Sequence, residues 1–167
     1  IFLIKRIKNI ERAALATVYP TKRGMSLLLD AGANVDCKPQ FLEQFAIMGS
    51  IYAEKVLGIE YPKVGLINVG TEPEKGNLLV KEAYTLLESA NINFLGNLEA
   101  RDVPEGVADV IVCDGFVGNV VLKLTEGLGQ TIFSILKEEF TSSFFSKMGA
   151  LMLKPQLKSF KDRFDYR

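Results

Sequence analysis

Three times in this chain an apolar, strand-like run closes in a short loop of Gly, Asn, Asp and Thr and then opens into a helix-like pattern. The runs are Leu27-Leu28-Leu29-Asp30-Ala31-Gly32-Ala33-Asn34, Val64-Gly65-Leu66-Ile67-Asn68-Val69-Gly70-Thr71-Glu72 and Val110-Ile111-Val112-Cys113-Asp114-Gly115-Phe116-Val117-Gly118-Asn119. Strands that alternate with helices in this way specify a parallel sheet with right-handed crossovers. Such sheets place ligands outside the carboxyl ends of their strands, where loop amides and helix N-termini point at an anion. Loops of this kind converge on one site. The chain therefore reads as part of an enzyme that handles phosphate or another small anion.

The segments between these runs complete the pattern. The first strand, near residues 26–30, leads through a loop to a helix opened by Pro39, whose fixed φ suits a first helical turn. Phe41, Phe45, Met48, Tyr52 and Val56 recur along that helix at helical spacing, and Gly58 stops it. The second strand, 63–69, passes through the polar loop Gly70 to Gly76 into a helix over 77–90, with Leu78, Leu79, Ala83, Leu86 and Leu87 as its apolar face. A short strand is expected at 92–95, a turn-rich stretch at 99–106, and a strand at 108–113. A long helix then runs from Asn119, a good N-cap, to about Phe140. The cluster Thr141-Ser142-Ser143 marks a break, so residues 1–140 read as α/β and 141–167 as a separate helical arm. The opening run Ile1-Phe2-Leu3-Ile4-Lys5-Arg6-Ile7 carries no cap and no small-residue cleavage site, and a helical pattern is still running at Arg167; the expectation is an internal piece of a longer protein without a signal peptide.

Composition narrows the chemistry. Formal net charge is zero over 167 residues, so no global field recruits nucleic acid. Histidine is absent, which removes Ser-His-Asp and Cys-His sites from this segment along with the commonest zinc ligand; no metal and no cofactor is expected. Cys37 and Cys113 are isolated thiols with neither metal spacing nor a disulfide framework, which suits a reducing cytoplasm. No apolar run approaches the ~20 residues that span a bilayer. No G-x-G-x-x-G follows a strand, and Gly70 to Gly76 lacks the ending of a P-loop, so a small anion fits better than a dinucleotide or triphosphate.

Each loop has two readings. Asp30 to Asn34 is either a plain turn, with Gly32 at positive φ, or a ligand loop. Asn68 stands at a strand end where an apolar residue costs less, and Thr71 and Glu72 cap a helix or touch a ligand. In Asp114 to Asn119, the two glycines let backbone approach a ligand closely. Asp30, Glu72 and Asp114 repel phosphate, and fit better as groups that orient loop amides, cap helices or hold a lysine. Lys38 and Lys123 read as solvated, and Cys113 as an inert buried thiol rather than an acyl-enzyme nucleophile.

The segments LLLDAGAN, FAIMGSIYAEKVLG, VGLINVGTEPEKGN, ANINFLGNLEARD and ADVIVCDGFVGNVVLK closely resemble the bacterial phosphate acyltransferase PlsX family, in the same order and over essentially the whole chain. The resemblance implies a Rossmann-like α/β/α sandwich with a mostly parallel sheet, similar to phosphotransacetylases. It implies reversible transfer of a long-chain acyl group from acyl-acyl carrier protein to inorganic phosphate, giving acyl phosphate for phospholipid synthesis. It also implies a cytoplasmic homodimer on the membrane face, working with a downstream glycerol-phosphate acyltransferase. Members are about twice this length, with Gly-rich segments before and after this region. On this reading Asn68, Asn119 and Thr71 are the candidate catalytic residues. Gly32, Asn34, Gly70, Asp114, Gly115 and Gly118 are the candidates for holding phosphate and substrate.

In the arm, Phe144, Phe145, Met148, Leu151, Met152 and Leu153 form an apolar cluster, followed by a basic excess that includes Lys154 and Lys158. The expected helical hairpin buries an apolar face in a dimer, and Leu151, Met152, Leu153, Lys154 and Lys158 form a tip for a membrane or partner surface, with the Lys154-Pro155 pair suited to an exposed break. Two rival functions stand beside this one: a phosphotransacetylase-like enzyme using acyl-coenzyme A, and a non-catalytic membrane-associated organiser of lipid enzymes.

Overall fold

The computed structural model describes residues 10–162. Five strands form one sheet: β1 (Thr17–Thr21), β2 (Gly24–Leu29), β3 (Lys63–Asn68), β4 (Asn93–Glu99) and β5 (Val110–Val112). Their spatial order is β1-β2-β5-β3-β4. Strands β2, β5, β3 and β4 are parallel, and β1 pairs antiparallel with β2. The fold is α/β. Strand β5, all of whose residues are buried, sits between β2 and β3, with Val112 level with both Leu29 and Leu66. Parallel strands covered on both faces read as continuous apolar runs, which is why these were legible.

Helices α1 (Pro39–Lys55) and α2 (Leu78–Ser89) touch each other and the sheet, so they share a face. The core there joins Leu27, Leu29, Val64, Leu66, Val110 and Val112 to Phe41, Leu42, Phe45, Ala46, Ala53, Ala83 and Leu87. Gly49 lets α1 press on the sheet, because a Cβ there would lie 2.6 Å from Val110 Cγ1. On the opposite face Leu98 lies across Gly65, and Leu28, Ile111, Val103 and Ala108 are buried. Pro39 opens α1 as expected, and Asn77 caps α2 by accepting the Val80 N–H at 3.0 Å.

Several boundaries differ from the sequence reading. The hairpin strand β1 was not expected; Pro20 disguises it, and proline is tolerated there because β1 is an edge strand. Strand β4 continues to Glu99 through a bulge at Leu95 and a positive-φ Gly96, four residues beyond the short strand expected at 92–95. Along α1 the buried positions are Phe41, Leu42, Phe45, Ala46, Gly49 and Ala53, while Tyr52 and Val56 point outward. Leu78, in the first turn of α2, is exposed.

Helix α3 spans Gly115–Thr141 and α4 spans Phe144–Asp162, with Ser143 accepting the Ser146 N–H at 3.1 Å as the cap between them. The helix break at Thr141 to Ser143 is therefore where the sequence placed it. Two compact units divide within α3, between Val121 and Leu122. Helix α4 continues through Lys154 and Pro155 rather than breaking there; the proline removes one ladder hydrogen bond without ending the helix. No described helix is long and apolar enough to cross a membrane.

Candidate functional site

Strands β2, β5 and β3 are adjacent and parallel, so the loops that leave their carboxyl ends lie on one edge of the sheet. Gly32, Gly70 and Gly115 thus share an edge, as the strand order demanded.

The loops after β2 and β5 are locked together. Asp30 is completely buried. Its Oδ1 accepts the N–H groups of Leu15 at 3.0 Å, Gly32 at 3.1 Å and Ala33 at 2.9 Å. Its Oδ2 accepts the Asn34 N–H at 2.7 Å and the Asn34 side-chain amide at 2.6 Å. That side chain also donates to the Ala13 carbonyl at 2.8 Å, and the Asn34 carbonyl accepts the Gly115 N–H at 2.7 Å. Gly118 lies so close beneath β2 that an added Cβ would fall 1.9 Å from the Asp30 carbonyl oxygen. Asn119, at the exposed surface of the first turns of α3, covers Gly32, whose φ is +138°.

This geometry bears on three expectations. The amide donors of Gly32 and Asn34 are committed to Asp30 rather than held out to an anion, because a buried carboxylate gathers whatever donors surround it. The cap of α3 is Asp114 rather than Asn119: its Oδ1 accepts the Val117 N–H at 2.8 Å, one of the structural roles its carboxylate suggested. Asn119 therefore sits inside α3, not at its start, and Gly115 and Gly118 act here as sites of close backbone approach.

The loop after β3 closes on itself. Asn68, nearly buried, donates to the Lys75 carbonyl at 3.0 Å and accepts the Val69 N–H at 2.8 Å. Gly76, at φ +91°, packs on the Asn68 carboxamide. One of the two Asn68 side-chain donors is thus engaged in shaping the loop. Gly70 is buried, with the Glu72 carboxylate and the Lys75 stem folded over it, and Thr71 is exposed beside it. Asn97 on β4 donates to the Glu72 carbonyl at 2.8 Å, while its buried Oδ1 has no hydrogen-bond partner among the described residues.

Sequence reading missed Lys75 and Asn97, and left Asp30 undecided. An Asp at a strand end followed by Gly and Asn is a signal for a carboxylate that folds its own loop.

The local field is acidic. Burial raises the Cys37 thiol to about 11, with the charge of Asp114 adding to the effect. Burial pushes Cys113 up further, again with Asp114 second. Both shifts favour the protonated thiol over the nucleophilic thiolate at neutral pH. Among the described residues no group of three or more His, Cys, Asp or Glu is placed to hold a metal ion. A shallow recess beside this edge is lined by Glu11, Arg12, Asp36, Cys37, Lys38 and Phe41, with the Arg12 guanidinium 5.9 Å from the centre of the Phe41 ring. On α4, Leu151, Met152, Leu153, Lys154 and Lys158 are exposed.

Comparison with known proteins agrees with this architecture. EutD phosphotransacetylase from Staphylococcus aureus superposes with a TM-score of 0.59 at 18% identity, over 74% of this chain and 44% of that one. A phosphotransacetylase from Streptococcus pyogenes gives a TM-score of 0.57 with the same identity of 18%. At this identity the likeness establishes the fold. Closer in sequence are proteins named Phosphate acyltransferase. That of Alkaliphilus oremlandii is 63% identical over 166 residues, covering 99% of this chain, and that of Clostridium acetobutylicum is 56% identical over 164 residues, covering 98%. The chain spans about half the length of these relatives, 50% in each case. The family model described as "Fatty acid synthesis protein" matches residues 1–167, and the chain belongs to that family.

Proposed function

We propose that the polypeptide containing this chain transfers an acyl group from a thioester of acyl carrier protein to inorganic phosphate, forming acyl phosphate for phospholipid synthesis. One observation carries the reading: loops from three adjacent parallel strands meet at one edge, in a chain 63% identical to a relative named Phosphate acyltransferase. The chemistry suits the residues. Phosphate near neutral pH is already a nucleophile, and a thiol with a pKa of ~8.5 is a good leaving group. A phosphate oxygen adds to the thioester carbonyl, the C–S bond breaks, and the thiolate leaves to take a proton from water. No histidine is needed; positioning and oxyanion stabilisation remain.

In this reading Asn119 and Thr71, both exposed at the edge, donate to phosphate or to the oxyanion. Lys75, anchored through its carbonyl by Asn68, is the cation of the loop after β3 and supplies positive charge for the phosphate. Asn68, Gly70, Asp114, Gly115 and Gly118 hold the loops in place. Removing one such donor costs ~3–4 kcal/mol of transition-state stabilisation.

The arm supports a homodimer and a peripheral membrane contact, with a downstream glycerol-phosphate acyltransferase as the consumer of the product. No residue from 122 to 158 is buried, although Leu124, Leu128, Ile132 and Ile135 line one stripe of α3 and Phe144, Phe145, Leu151 and Met152 stand out from α4. Helices this apolar need a covering surface.

The test uses the full-length protein, with acyl phosphate measured from long-chain acyl carrier protein and, separately, from acyl-coenzyme A. Phosphate-dependent product from the carrier protein supports the reading. Preference for coenzyme A favours the phosphotransacetylase-like alternative, which the structural neighbours bring forward, and no product from either donor overturns both.

A further inference from the structure

We propose that Asp30 is the positioning residue of the transfer site: its buried carboxylate fixes Asn34, and through Asn34 the first turn of α3, so that Asn119 stands at one place on the edge. This rests on the acyl-transfer reading above. A carboxylate removed from water persists as an anion only when hydrogen-bond donors replace its hydration. Asp30, with no exposed surface, has five such donors, and its two oxygens divide them. Oδ1 gathers backbone N–H groups of Leu15, Gly32 and Ala33. Oδ2 takes the Asn34 backbone and side-chain donors at 2.7 and 2.6 Å, the short lengths of charge-assisted bonds.

Asn34 passes this constraint on. Its carbonyl accepts the Gly115 N–H at 2.7 Å, and a Cβ on Gly115 would meet that same carbonyl oxygen at 2.7 Å, so the start of α3 is seated directly on it. The Asp30 carbonyl lies against Gly118, and the Asn119 Cβ is 3.5 Å from the place a Gly32 Cβ would take. The first turn of α3 is thus located at three points, all on the segment that Asp30 folds. With its acceptor positions filled by the chain, Asp30 neither abstracts a proton nor holds a metal. It acts through backbone.

The charge itself is required. In Asp30→Asn the shape is kept, but one end of the carboxamide is now a donor. Facing Oδ1's three partners it would lose three bonds, and facing Asn34 it loses two. The variant therefore settles with its oxygen toward Leu15, Gly32 and Ala33, and releases Asn34.

The experiment compares wild-type, Asp30→Asn and Asn34→Ala full-length protein by kcat, KM for phosphate and backbone amide exchange. In Asp30→Asn we expect kcat to fall at least tenfold while KM for phosphate moves less than threefold, because misplacement harms alignment more than binding. Exchange should accelerate at Asn34 and Gly115 and stay unchanged in α1 and the sheet. Asn34→Ala, which deletes one donor to Oδ2, should lose less, and the two changes combined should lose less than the product of their separate effects. Wild-type kcat per folded molecule in Asp30→Asn overturns the proposal, and so does unchanged exchange at Asn34 and Gly115. If Asp30→Asn does not fold, Asn34→Ala decides: a kcat at least threefold lower at unaltered Tm supports it, and wild-type kcat overturns it. Exchange needs no substrate, so an inactive wild-type protein would count against the reaction, whereas unperturbed exchange would count against Asp30.

Discussion

Gly118 and Gly127 stand on the same helix, yet a methyl group added to each meets opposite surroundings. At Gly118 it would strike the Asp30 carbonyl oxygen at 1.9 Å and the Cys113 sulfur at 3.0 Å, and backbone cannot rotate aside. At Gly127 it meets nothing within 4 Å. Gly118→Ala is therefore expected to destabilise by about 3 kcal/mol or more, and Gly127→Ala to stabilise by about 0.5–1 kcal/mol. Urea unfolding of the two variants checks the opposite signs; wild-type stability in Gly118→Ala would mean that α3 does not lie on Asp30. For the chemistry, Asn119→Ala in the full-length protein is expected to lower phosphate-dependent acyl transfer by tens-fold with Tm unchanged, since the side chain is exposed and leaves no hole. Turnover equal to wild type removes it from the site. The thiols add a pH effect. Folding raises Cys37 from 9.0 to about 11, so the folded state holds that proton more tightly. This contribution to stability is complete below pH 9 and is lost as pH rises toward 11. Unfolding measured across that window should show a decline that Cys37→Ser makes shallower, and an equal slope in the variant would refute the assignment. Which residues shape the loops of the candidate site was partly visible in the sequence. A carboxylate or carboxamide at a strand end announces a polar task. Whether its donors face a ligand or the neighbouring loop depends on which strand lies alongside, and the order β2-β5-β3 is not written in local pattern.

At the scale of elements, the parallel strands and the two covering helices were legible because apolar runs of the right length stood between turn residues. Three features were not. Strand β1 hides behind Pro20, the second half of β4 hides behind Gly96 and Asn97, and the outward-facing Tyr52 and Val56 imitate a core stripe. In each case tertiary position decided what local preference did not: an edge that tolerates proline, a bulge that takes a glycine, and a sheet that selected the stripe containing Gly49. Helix α4 poses the matching problem for function. Leu151, Met152 and Leu153 are exposed, and burying each is worth about 1.5–3 kcal/mol. Replacing all three with polar residues should weaken sedimentation with anionic vesicles while leaving turnover on soluble acyl carrier protein in place. Size-exclusion chromatography run alongside separates the alternatives. A change of oligomeric state would place these residues in a protein interface, and unchanged vesicle binding by a well-folded variant removes the membrane contact.

The described sheet has an unusual assembly problem, set by its central strand. Among the described strands Val110–Val112 is the last in chain order, yet it occupies the gap between β2 and β3. Until it arrives, those strands have no direct partner in each other, and the buried faces of Leu29 and Leu66 lack the Val112 that stands level with both. During synthesis at ~5–20 residues per second, the roughly 80 residues between the end of β2 and β5 leave that slot open for ~4–16 s. A chain stopped at Asp109 should consequently remain protease-sensitive and bind hydrophobic dyes, and one carried through Val121 should become resistant. Ribosome-bound intermediates of graded length make this measurable. The nascent protein therefore depends, for several seconds, on whatever shields an unfinished sheet: its central seam is the part most exposed to aggregation before it becomes the part best hidden.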